Sequence, residues 1–344
     1  MKKFFCLVLA GMLLLCGCGA TAQEVEVPQK QYTATFLTLF DTVTSIVGKA
    51  ESEEAFYEKA KAIHDELEVY HQLFDIYNEY EGITNLKNVN DQAGVAPVKV
   101  DEKIIRLLQD CKEMYEATGG RVNVAMGSVL YLWHEARDYG RNNPAEAALP
   151  DMDALQEAAA HVDLDGVIID EENSTIYIED SQTRLDVGAI AKGWSVQQVA
   201  AQAPKGMLIS VGGNVFATGP KDEKGTAWVV GVQDPAGGEN YLHTIYVKSG
   251  SVVTSGDYQR TYMVDGKLYH HIIDPDTLFP SGYWRSVTIV CEDSGIADAL
   301  STALFLMPRE EGQKLLEQYN AEAMWVDLNG DIYYSTGFKK LIRT

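Results

Sequence analysis

A carboxylate and a hydroxyl stand four residues apart near the end of the chain, at Asp298 and Thr302. The small and apolar residues around them, 297–304, predict a helix, which places both oxygens on one face. Two hard oxygen ligands in this arrangement can hold Mg²⁺, which leaves its other positions to water or to substrate phosphate. Structural alternatives stay open, because the Thr can bond a carbonyl one turn back and the Asp can stabilise the helix start.

A loop of small residues, 185–193, joins a strand pattern to a helix pattern. Its uncrowded backbone can approach a ligand, and its amides, together with Lys192, can bind an anion. Tight packing of the helix on a sheet, with Asp186 as the helix cap, explains the same residues. A glycine turn at 211–214 has the same two interpretations.

Polar residues are densest in two further segments, 254–258 and 270–275. On a strand predicted at 267–273, His270 and His271 must face opposite sides, so at most one of them enters a site. The Asp-Pro pair that closes the second segment forces an extended turn, which could present His271 at a pocket edge. A hydrogen-bonded structural histidine is the alternative.

The elements that must position these residues are predicted from hydrophobic periodicity. Helices are predicted at 52–73, from a cap at Asp101 to a stop at Gly119 and Gly120, and at 153–161, 190–202 and 295–307. Strands are predicted at 35–47, 164–170, 175–179, 207–211, 227–233, 243–248, 259–264, 267–273, 286–291 and 323–334. Runs of neighbouring strands with segregated helices indicate an α+β fold with mixed or antiparallel sheets.

The composition argues against nucleic acid as a partner and against disulfide bonds as the main source of stability. The formal net charge is −22, with no long basic cluster, which argues against nucleic-acid binding. Only Cys111 and Cys291 lie in the predicted folded part, so no disulfide framework is expected. Two buried free thiols are the default, and a bond between the two is the alternative.

The N-terminus has the features of an export signal. Lys2 and Lys3 precede an apolar run at 4–15, which is too short to span a bilayer comfortably. The residues Leu-Cys-Gly-Cys that follow resemble a bacterial lipobox, with cleavage before Cys18. An ordinary signal peptide cut elsewhere, or a short N-terminal anchor, is the alternative.

These features divide the chain into three parts. Residues 1–17 are predicted to be a lipoprotein signal peptide, 18–31 a lipidated Cys18 with a flexible tether, and 32–344 a folded domain. The expected location is extracytoplasmic, with the protein held to the bacterial cell membrane by lipid.

Together, these motifs resemble the FAD:protein FMN transferase family, also called ApbE. The matching segments are 39–43, 119–123 with Leu132 and Trp133, 186–193, 211–214, 254–258, 270–275 with Pro280, and 297–304. They occur in the order of the family over nearly the whole mature chain. The lipobox also suits a family in which many members are lipoproteins.

The resemblance implies an α+β fold in which FAD lies in a cleft between two parts, with Mg²⁺ at its diphosphate. A Thr or Ser hydroxyl of an exported protein attacks the phosphorus on the FMN side, and AMP leaves. The implied acceptors are exported flavoproteins, such as flavin-carrying subunits of membrane redox complexes, with a short Ser/Thr-Gly-Ala-Thr-like acceptor segment. Mg²⁺-dependent FAD hydrolysis to FMN and AMP, and flavin binding without catalysis, are the alternatives.

The site residues are carried over from the same resemblance. The metal ligands are Asp298, Thr302 and the backbone carbonyl of Ala189. His271 activates the nucleophile or steadies the diphosphate, and Asp298 is counted with it as catalytic. Contacts to the flavin nucleotide are expected at Phe40, Tyr77, Val122, Asn123, Asp186, Lys192, Ser255, His271 and Ile272.

Two positions depart from the pattern of the family. Asn123 stands where many members have Asp, so it can bind the cofactor but supplies no charge. Leu278 stands where Gly is more usual, which should alter the turn rather than the chemistry.

Overall fold

A computed structural model of the protein describes residues 29–238 and 240–343. The helices are α1 (Glu53–Phe74), α2 (Leu86–Asp91), α3 (Glu102–Ala117), α4 (Gly127–Asn142), α5 (Met152–Ala159), α6 (Ala191–Gln202), α7 (Ser294–Phe305) and α8 (Arg309–Tyr319), with short 3₁₀ helices at Pro144–Glu146 and Phe338–Lys340. The strands are β1 (Lys30–Phe36), β2 (Thr44–Ala50), β3 (Val98–Lys99), β4 (Val167–Asp170), β5 (Thr175–Ile178), β6 (Met207–Val211), β7 (Asn214–Ala217), β8 (Trp228–Gln233), β9 (Tyr241–Val247), β10 (Gly250–Gly256), β11 (Tyr262–Val264), β12 (Lys267–Tyr269), β13 (Ser286–Cys291), β14 (Glu322–Val326) and β15 (Ile332–Tyr334).

The predicted signal peptide and Cys18 lie outside the described residues, as does most of the predicted tether. Strand β1 begins at Lys30, so the last two residues of that tether, Lys30 and Gln31, belong to the sheet. Within 29–238 and 240–343, the helices are too short or too polar to cross a membrane.

The centre of the fold is an eight-stranded sheet with the order β1-β2-β6-β7-β10-β13-β14-β15. Every neighbouring pair in it is antiparallel. Smaller antiparallel groups are β3-β5-β4, β8-β9 and β11-β12. The predicted α+β fold with antiparallel sheets and segregated helices is therefore confirmed.

Helices α1, α6 and α7 share the main hydrophobic core with the sheet. Leu300 and Leu304 of α7 are fully buried against it, as is Trp325 of β14. Burial of each such side chain contributes about 1.5–3 kcal/mol relative to exposure. Small residues let α6 and α7 approach closely, because a Cβ at Gly193 would collide with the carbonyl oxygen of Ser294.

A smaller cluster lies apart from this core and forms the second part of the fold. It combines α4 and α5 with the β11-β12 hairpin, and its buried residues include Trp133, Leu155 and Tyr262. Gly140 of α4 permits this packing, since a Cβ there would lie 2.9 Å from the Tyr262 ring. The cleft that holds the predicted site residues lies between this cluster and the main core.

Two strand predictions were wrong in their extent. The strand predicted at 35–47 is two strands, β1 and β2, because Phe40 and Asp41 between them take φ of 53° and 52°, in the left-handed region. The strand predicted at 267–273 ends at Tyr269, where the chain turns toward Pro280.

Local signals at helix ends were predicted well. Asp101 caps α3 by accepting a hydrogen bond from the Lys103 amide, and Gly119 and Gly120 follow the helix with positive φ. Helices α2, α4 and α8 and strands β3, β7 and β10 were not predicted. Cys111 and Cys291 are both buried and free, as expected.

Candidate functional site

A cavity of about 680 Å³ lies between α6, α7 and β10 on one side and α4 and β11 on the other. Its volume is in the range typical of small-molecule sites. The predicted residues that line it are Tyr77, Val122, Asn123, Asp186, Ala189, Lys192, Ser255, His271, Ile272, Asp298 and Thr302. Phe40 lines an adjoining cavity of about 130 Å³, so the structure brings the whole predicted set into one region.

Asp298 is a buried carboxylate on α7 that points toward the start of α6. Its Oδ2 accepts hydrogen bonds from the Gly193 amide at 2.9 Å and from Lys192 Nζ at 3.4 Å. Burial raises the pKa of Asp298, and Lys192 and the Gly193 amide oppose that rise. The helix start is capped by Asp293, whose side chain accepts from the Ile296 amide, so Asp298 is not needed as the cap of its own helix.

Thr302 lies one turn after Asp298 and also lines the cavity. Among the described residues its hydroxyl has no hydrogen-bond partner, whereas the neighbouring Ser301 hydroxyl bonds the Asp298 carbonyl at 2.8 Å. Thr302 therefore does not make the bond to a carbonyl one turn back that was its structural alternative. The Thr302 hydroxyl remains available to a ligand.

The loop 185–193 already holds a positive charge next to Asp298. Lys192 Nζ contacts both the Gly188 carbonyl, at 3.1 Å, and Asp298 Oδ2. The next residue in the loop, Ala189, also lines the cavity. A carboxylate, a hydroxyl and loop carbonyls form a set of hard oxygen donors, which fits Mg²⁺.

Asp186 does not cap α6, which was the structural alternative for this loop. Its Oδ1 accepts from the Gly188 amide at 2.8 Å, which tightens the loop itself. The N-cap position of α6 is Ile190, which has no capping side chain. Asp298 of the neighbouring helix binds the Gly193 amide in the first turn instead.

His271 is a neutral imidazole with one nitrogen turned to a carbonyl. Its Nδ1 lies 3.2 Å from the Gln259 carbonyl oxygen. Because a carbonyl only accepts hydrogen bonds, Nδ1 carries the proton and Nε2 has a free lone pair. Burial, together with the positive charge of Arg260, lowers the pKa of His271 to about 3. The ring therefore has the protonation state of a general base.

His270 has both ring nitrogens occupied by protein groups. Its Nε2 donates to the Ser281 carbonyl at 3.0 Å, and its Nδ1 accepts from the Ile272 amide at 3.2 Å. Both histidines line the cavity, but only His271 has a ring nitrogen without a protein partner among the described residues, so the prediction that at most one of them enters a site stays a prediction. The strand alternation behind that prediction does not apply, because β12 ends before them.

Aromatic side chains cover another side of the cavity. Tyr77 stacks on His134 of α4, with ring centroids 4.9 Å apart and an interplanar angle of 24°. Asp75 holds the Tyr77 backbone by accepting from its amide at 2.7 Å. In the smaller cavity, which Tyr77 also lines, the Phe40 amide donates to His71 Nδ1 at 3.3 Å.

His134 and Arg137 were missed because α4 was not predicted. Their side chains meet, with Arg137 Nη2 2.6 Å from His134 Nδ1, and both line the larger cavity. A signal was present in the sequence, since Met126, Val129 and Trp133 are apolar residues at helical spacing.

Asn123 and Leu278, the two departures from the family pattern, make different local contacts. Asn123 lines the cavity, but its Nδ2 donates to the Val162 carbonyl and its Oδ1 accepts from the Ala125 amide. Its contact with a cofactor stays a prediction. Leu278 has φ of 61°, a left-handed conformation that glycine adopts without strain, and its carbonyl accepts from Trp133 Nε1 at 2.9 Å.

The chain is similar to known proteins over almost its full length. Residues 38–325 match the model of the ApbE family. An FAD:protein FMN transferase of Treponema pallidum is 33% identical and covers 96% of this chain and 93% of its own length. One from Klebsiella pneumoniae is 30% identical, over 79% of this chain and 86% of its own length.

Solved structures agree with these sequence matches. The ApbE protein of Thermotoga maritima is 30% identical and has a TM-score of 0.79, covering 92% of this chain and all of its own. The flavin transferase ApbE of Vibrio cholerae, 22% identical with a TM-score of 0.73 over 91% of this chain and all of its own, shares the fold. This chain belongs to the ApbE family.

Proposed function

We propose that the protein is an FAD:protein FMN transferase, which moves FMN from FAD to a Thr or Ser hydroxyl of an exported protein and releases AMP. The single observation that carries this proposal is the placement of the free Nε2 of His271 in the same cavity as the Asp298 and Thr302 oxygens. A base can take the proton of an attacking hydroxyl, and a cation held by a carboxylate can neutralise a diphosphate, so the two together fit attack of a hydroxyl on a diphosphate. The names of the similar proteins support the same reaction.

Asp298, Thr302 and the Ala189 carbonyl would hold Mg²⁺. When bound, the ion supplies charge neutralisation to the diphosphate oxygens. The residues fit it because Asp298 is buried, the Thr302 hydroxyl has no partner in the described chain, and the adjoining Gly188 carbonyl already contacts a cation. In a chain with a net charge of −22, such a site also helps to bind an anionic cofactor.

His271 is the proposed general base. Its Nε2 accepts the proton of the acceptor hydroxyl as the new bond between that oxygen and the FMN phosphorus forms. The bond from this phosphorus to the AMP oxygen breaks, and AMP leaves with the electron pair. The hydrogen bond from Nδ1 to Gln259 keeps the ring in the tautomer that this step needs.

The flavin ring is proposed to lie against the aromatic side of the cleft. Phe40 and Tyr77 line the smaller cavity, and Tyr77 also lines the larger one. Flat apolar rings gain free energy by burial against such side chains. The buried Val122 and Ile272 extend the apolar surface inside the larger cavity.

The place of action is proposed to be the outer face of the cell membrane, with the protein anchored through a lipid on Cys18. The support is the export signal and lipobox of the first 18 residues. Replacement of Cys18 by Ser should move the protein from the membrane fraction to the soluble fraction and abolish lipid labelling. The matched Cys16→Ser change should leave both unchanged, and equal behaviour of the two variants would contradict the anchor.

The reaction is tested by incubating the protein with FAD, Mg²⁺ and purified exported proteins that carry a Ser/Thr-Gly-Ala-Thr-like segment. We expect AMP release together with covalent flavin fluorescence on the acceptor, and no label when the acceptor hydroxyl is replaced. AMP release without label on an acceptor that another transferase can modify would identify an FAD hydrolase. Flavin binding with neither product would identify a non-catalytic binder.

A further inference from the structure

The two cavities share one wall, and Arg260 is part of it. The residues that line both cavities are Asp41, Tyr77, Asp186, Gly188, Lys192 and Arg260. A ligand that extends from the larger cavity into the smaller one must pass this wall. Its charged side chains are the acidic Asp41 and Asp186 and the cationic Lys192 and Arg260, so the side chains of this wall that can attract an anionic group are Lys192 and Arg260.

Three other cationic side chains that line the larger cavity have carboxylate partners. Arg121 contacts Asp276 at 2.6 Å, Arg137 contacts Asp138 at 3.3 Å, and Lys192 contacts Asp298 at 3.4 Å.

Arg260 differs from these three. No carboxylate of the described residues lies within 4 Å of its guanidinium, although the chain carries a large excess of acid. Arg141 also has no carboxylate partner among the described residues. It lies at the end of α4 and lines only the larger cavity, so it is not part of the shared wall.

The backbone holds the Arg260 side chain at this wall. Arg260 has φ of 45°, and its Nη2 donates to the Phe40 carbonyl at 3.3 Å. Phe40 and Asp41 are themselves in the left-handed region, so three such residues from two distant segments meet here. Backbone strain of this kind persists where surrounding structure fixes it, and it clusters at functional sites. The positive charge of Arg260 also contributes to the low pKa of His271, which places it close to the proposed base.

We infer that Arg260 binds the diphosphate of FAD and stays on the phosphate that leaves with AMP. The inference rests on the proposed function, in which FAD is the donor. During transfer the oxygen between the two phosphorus atoms gains the electron pair of the broken bond. Arg260 keeps all its protons and donates hydrogen bonds to these phosphate oxygens, while His271 takes the proton of the acceptor hydroxyl.

An arginine suits this task better than a lysine. Its planar fork can donate two parallel hydrogen bonds to phosphate, whereas an ammonium acts as a point charge. The competing explanation is that Arg260 only fastens the Phe40 segment through the Phe40 carbonyl. That role requires no phosphate on the ligand, so ligands with and without phosphate separate the two explanations.

The test measures dissociation constants of FAD, ADP, riboflavin and adenosine for the wild type and for Arg260→Met. We expect FAD and ADP to bind about 10- to 100-fold more weakly to the variant, since hydrogen bonds to charged groups are lost. Riboflavin and adenosine, which carry no phosphate, should bind within about twofold of the wild type. The charge control is Arg106→Met, which removes an exposed arginine of α3 that pairs with Glu102 and lines neither cavity.

Equal weakening of all four ligands would show a fastening role and overturn the inference. Unchanged binding of FAD and ADP would overturn it as well, while leaving the proposed function intact. Failure of the wild type to bind FAD would remove the proposed function together with the inference. If Arg260→Met does not fold, Arg260→Lys decides: a loss for FAD and ADP alone supports phosphate binding, and no loss contradicts it.

Discussion

The two sides of the cleft are built differently. One side, the helix wall, consists of α6, α7 and the loop 185–193, and its central carboxylate, Asp298, is only 4% exposed. The other, the loop wall, consists of residues 37–43, Tyr77 and the His134 and Arg137 side chains of α4. Tyr77 is 45% exposed there and is positioned by hydrogen bonds rather than by a packed core. The helix wall can hold reacting groups in fixed geometry, and the loop wall can adapt to a ligand.

This contrast predicts that changes in the helix wall lower turnover, whereas changes in the loop wall lower affinity. The largest effect is expected for Asp298→Asn, which keeps a hydrogen-bond acceptor for the Gly193 amide but removes the charge. We expect kcat to fall about 10³-fold, since several kcal/mol of charge stabilisation are lost. The measurement is AMP release at saturating FAD and Mg²⁺.

The matched control for this change is Asp293→Asn on the same helix. Asn caps a helix about as well as Asp, and Asp293 does not line the cavity. Its kcat should therefore stay near that of the wild type. An equal loss of kcat in both variants would mean that turnover responds to any change of charge in α7. The proposed difference between the two walls would then be contradicted.

The adjacent histidines sharpen the comparison within the larger cavity. His271→Gln should lower kcat about 10²-fold or more, because the proposed base is removed, with a much smaller change in KM for FAD. His270→Gln should act mainly on stability, since its ring bonds Ser281 and Ile272 on both sides. Single-turnover transfer and thermal unfolding of both variants separate these effects. A larger kcat loss in His270→Gln would reverse the assignment.

The low pKa of His271 predicts a dependence of stability on pH. The unfolded chain takes up a proton at this residue near pH 6.5, and the folded protein only near pH 3, so the unfolded state binds more protons between these values. The free energy of unfolding should therefore fall as pH is lowered from 6.5. His271→Gln should lose about 1.5 kcal/mol less than the wild type between pH 6.5 and pH 5. If the free energies of unfolding of the two proteins, measured in urea, fell equally over this range, the neutral state of His271 in the folded protein would be contradicted.

The smallest effect is expected in the loop wall. Tyr77→Leu should raise KM for FAD about 3- to 10-fold through loss of aromatic contact, with kcat within about twofold. Tyr139→Leu serves as the control, since Tyr139 is an exposed residue of α4 that lines neither cavity. A loss of kcat in Tyr77→Leu as large as that of Asp298→Asn would remove the distinction between the walls.

The helix wall was the more predictable of the two from sequence. Asp298 and Thr302 are four residues apart on one helix, and Lys192 follows a loop of small residues, so local spacing is enough to group them. Arg260 could not be predicted in this way. Its contact is with the Phe40 carbonyl, 220 positions away, and depends on how two loops approach in the fold.

In the rest of the fold, too, features set by neighbouring residues were predicted from sequence, whereas features set by distant contacts were not. The cap of α3 at Asp101 was predicted because one side chain and one amide decide it. The break between β1 and β2 was not, because neither Phe40 nor Asp41 signals a left-handed conformation as glycine does. Tyr77 was assigned to the site by resemblance, but its partner His134 required the position of α4.

Binding of Mn²⁺ in place of Mg²⁺ tests the central claim most directly. Electron paramagnetic resonance of free Mn²⁺ can follow its uptake by the metal-free protein in the presence of ADP, for the wild type, Asp298→Asn, Thr302→Val and Asp293→Asn. If the helix wall holds the ion, the first two variants will bind Mn²⁺ at least about 10-fold more weakly, whereas Asp293→Asn will match the wild type. Equal affinity in all four proteins, or no uptake by the wild type, would contradict the account.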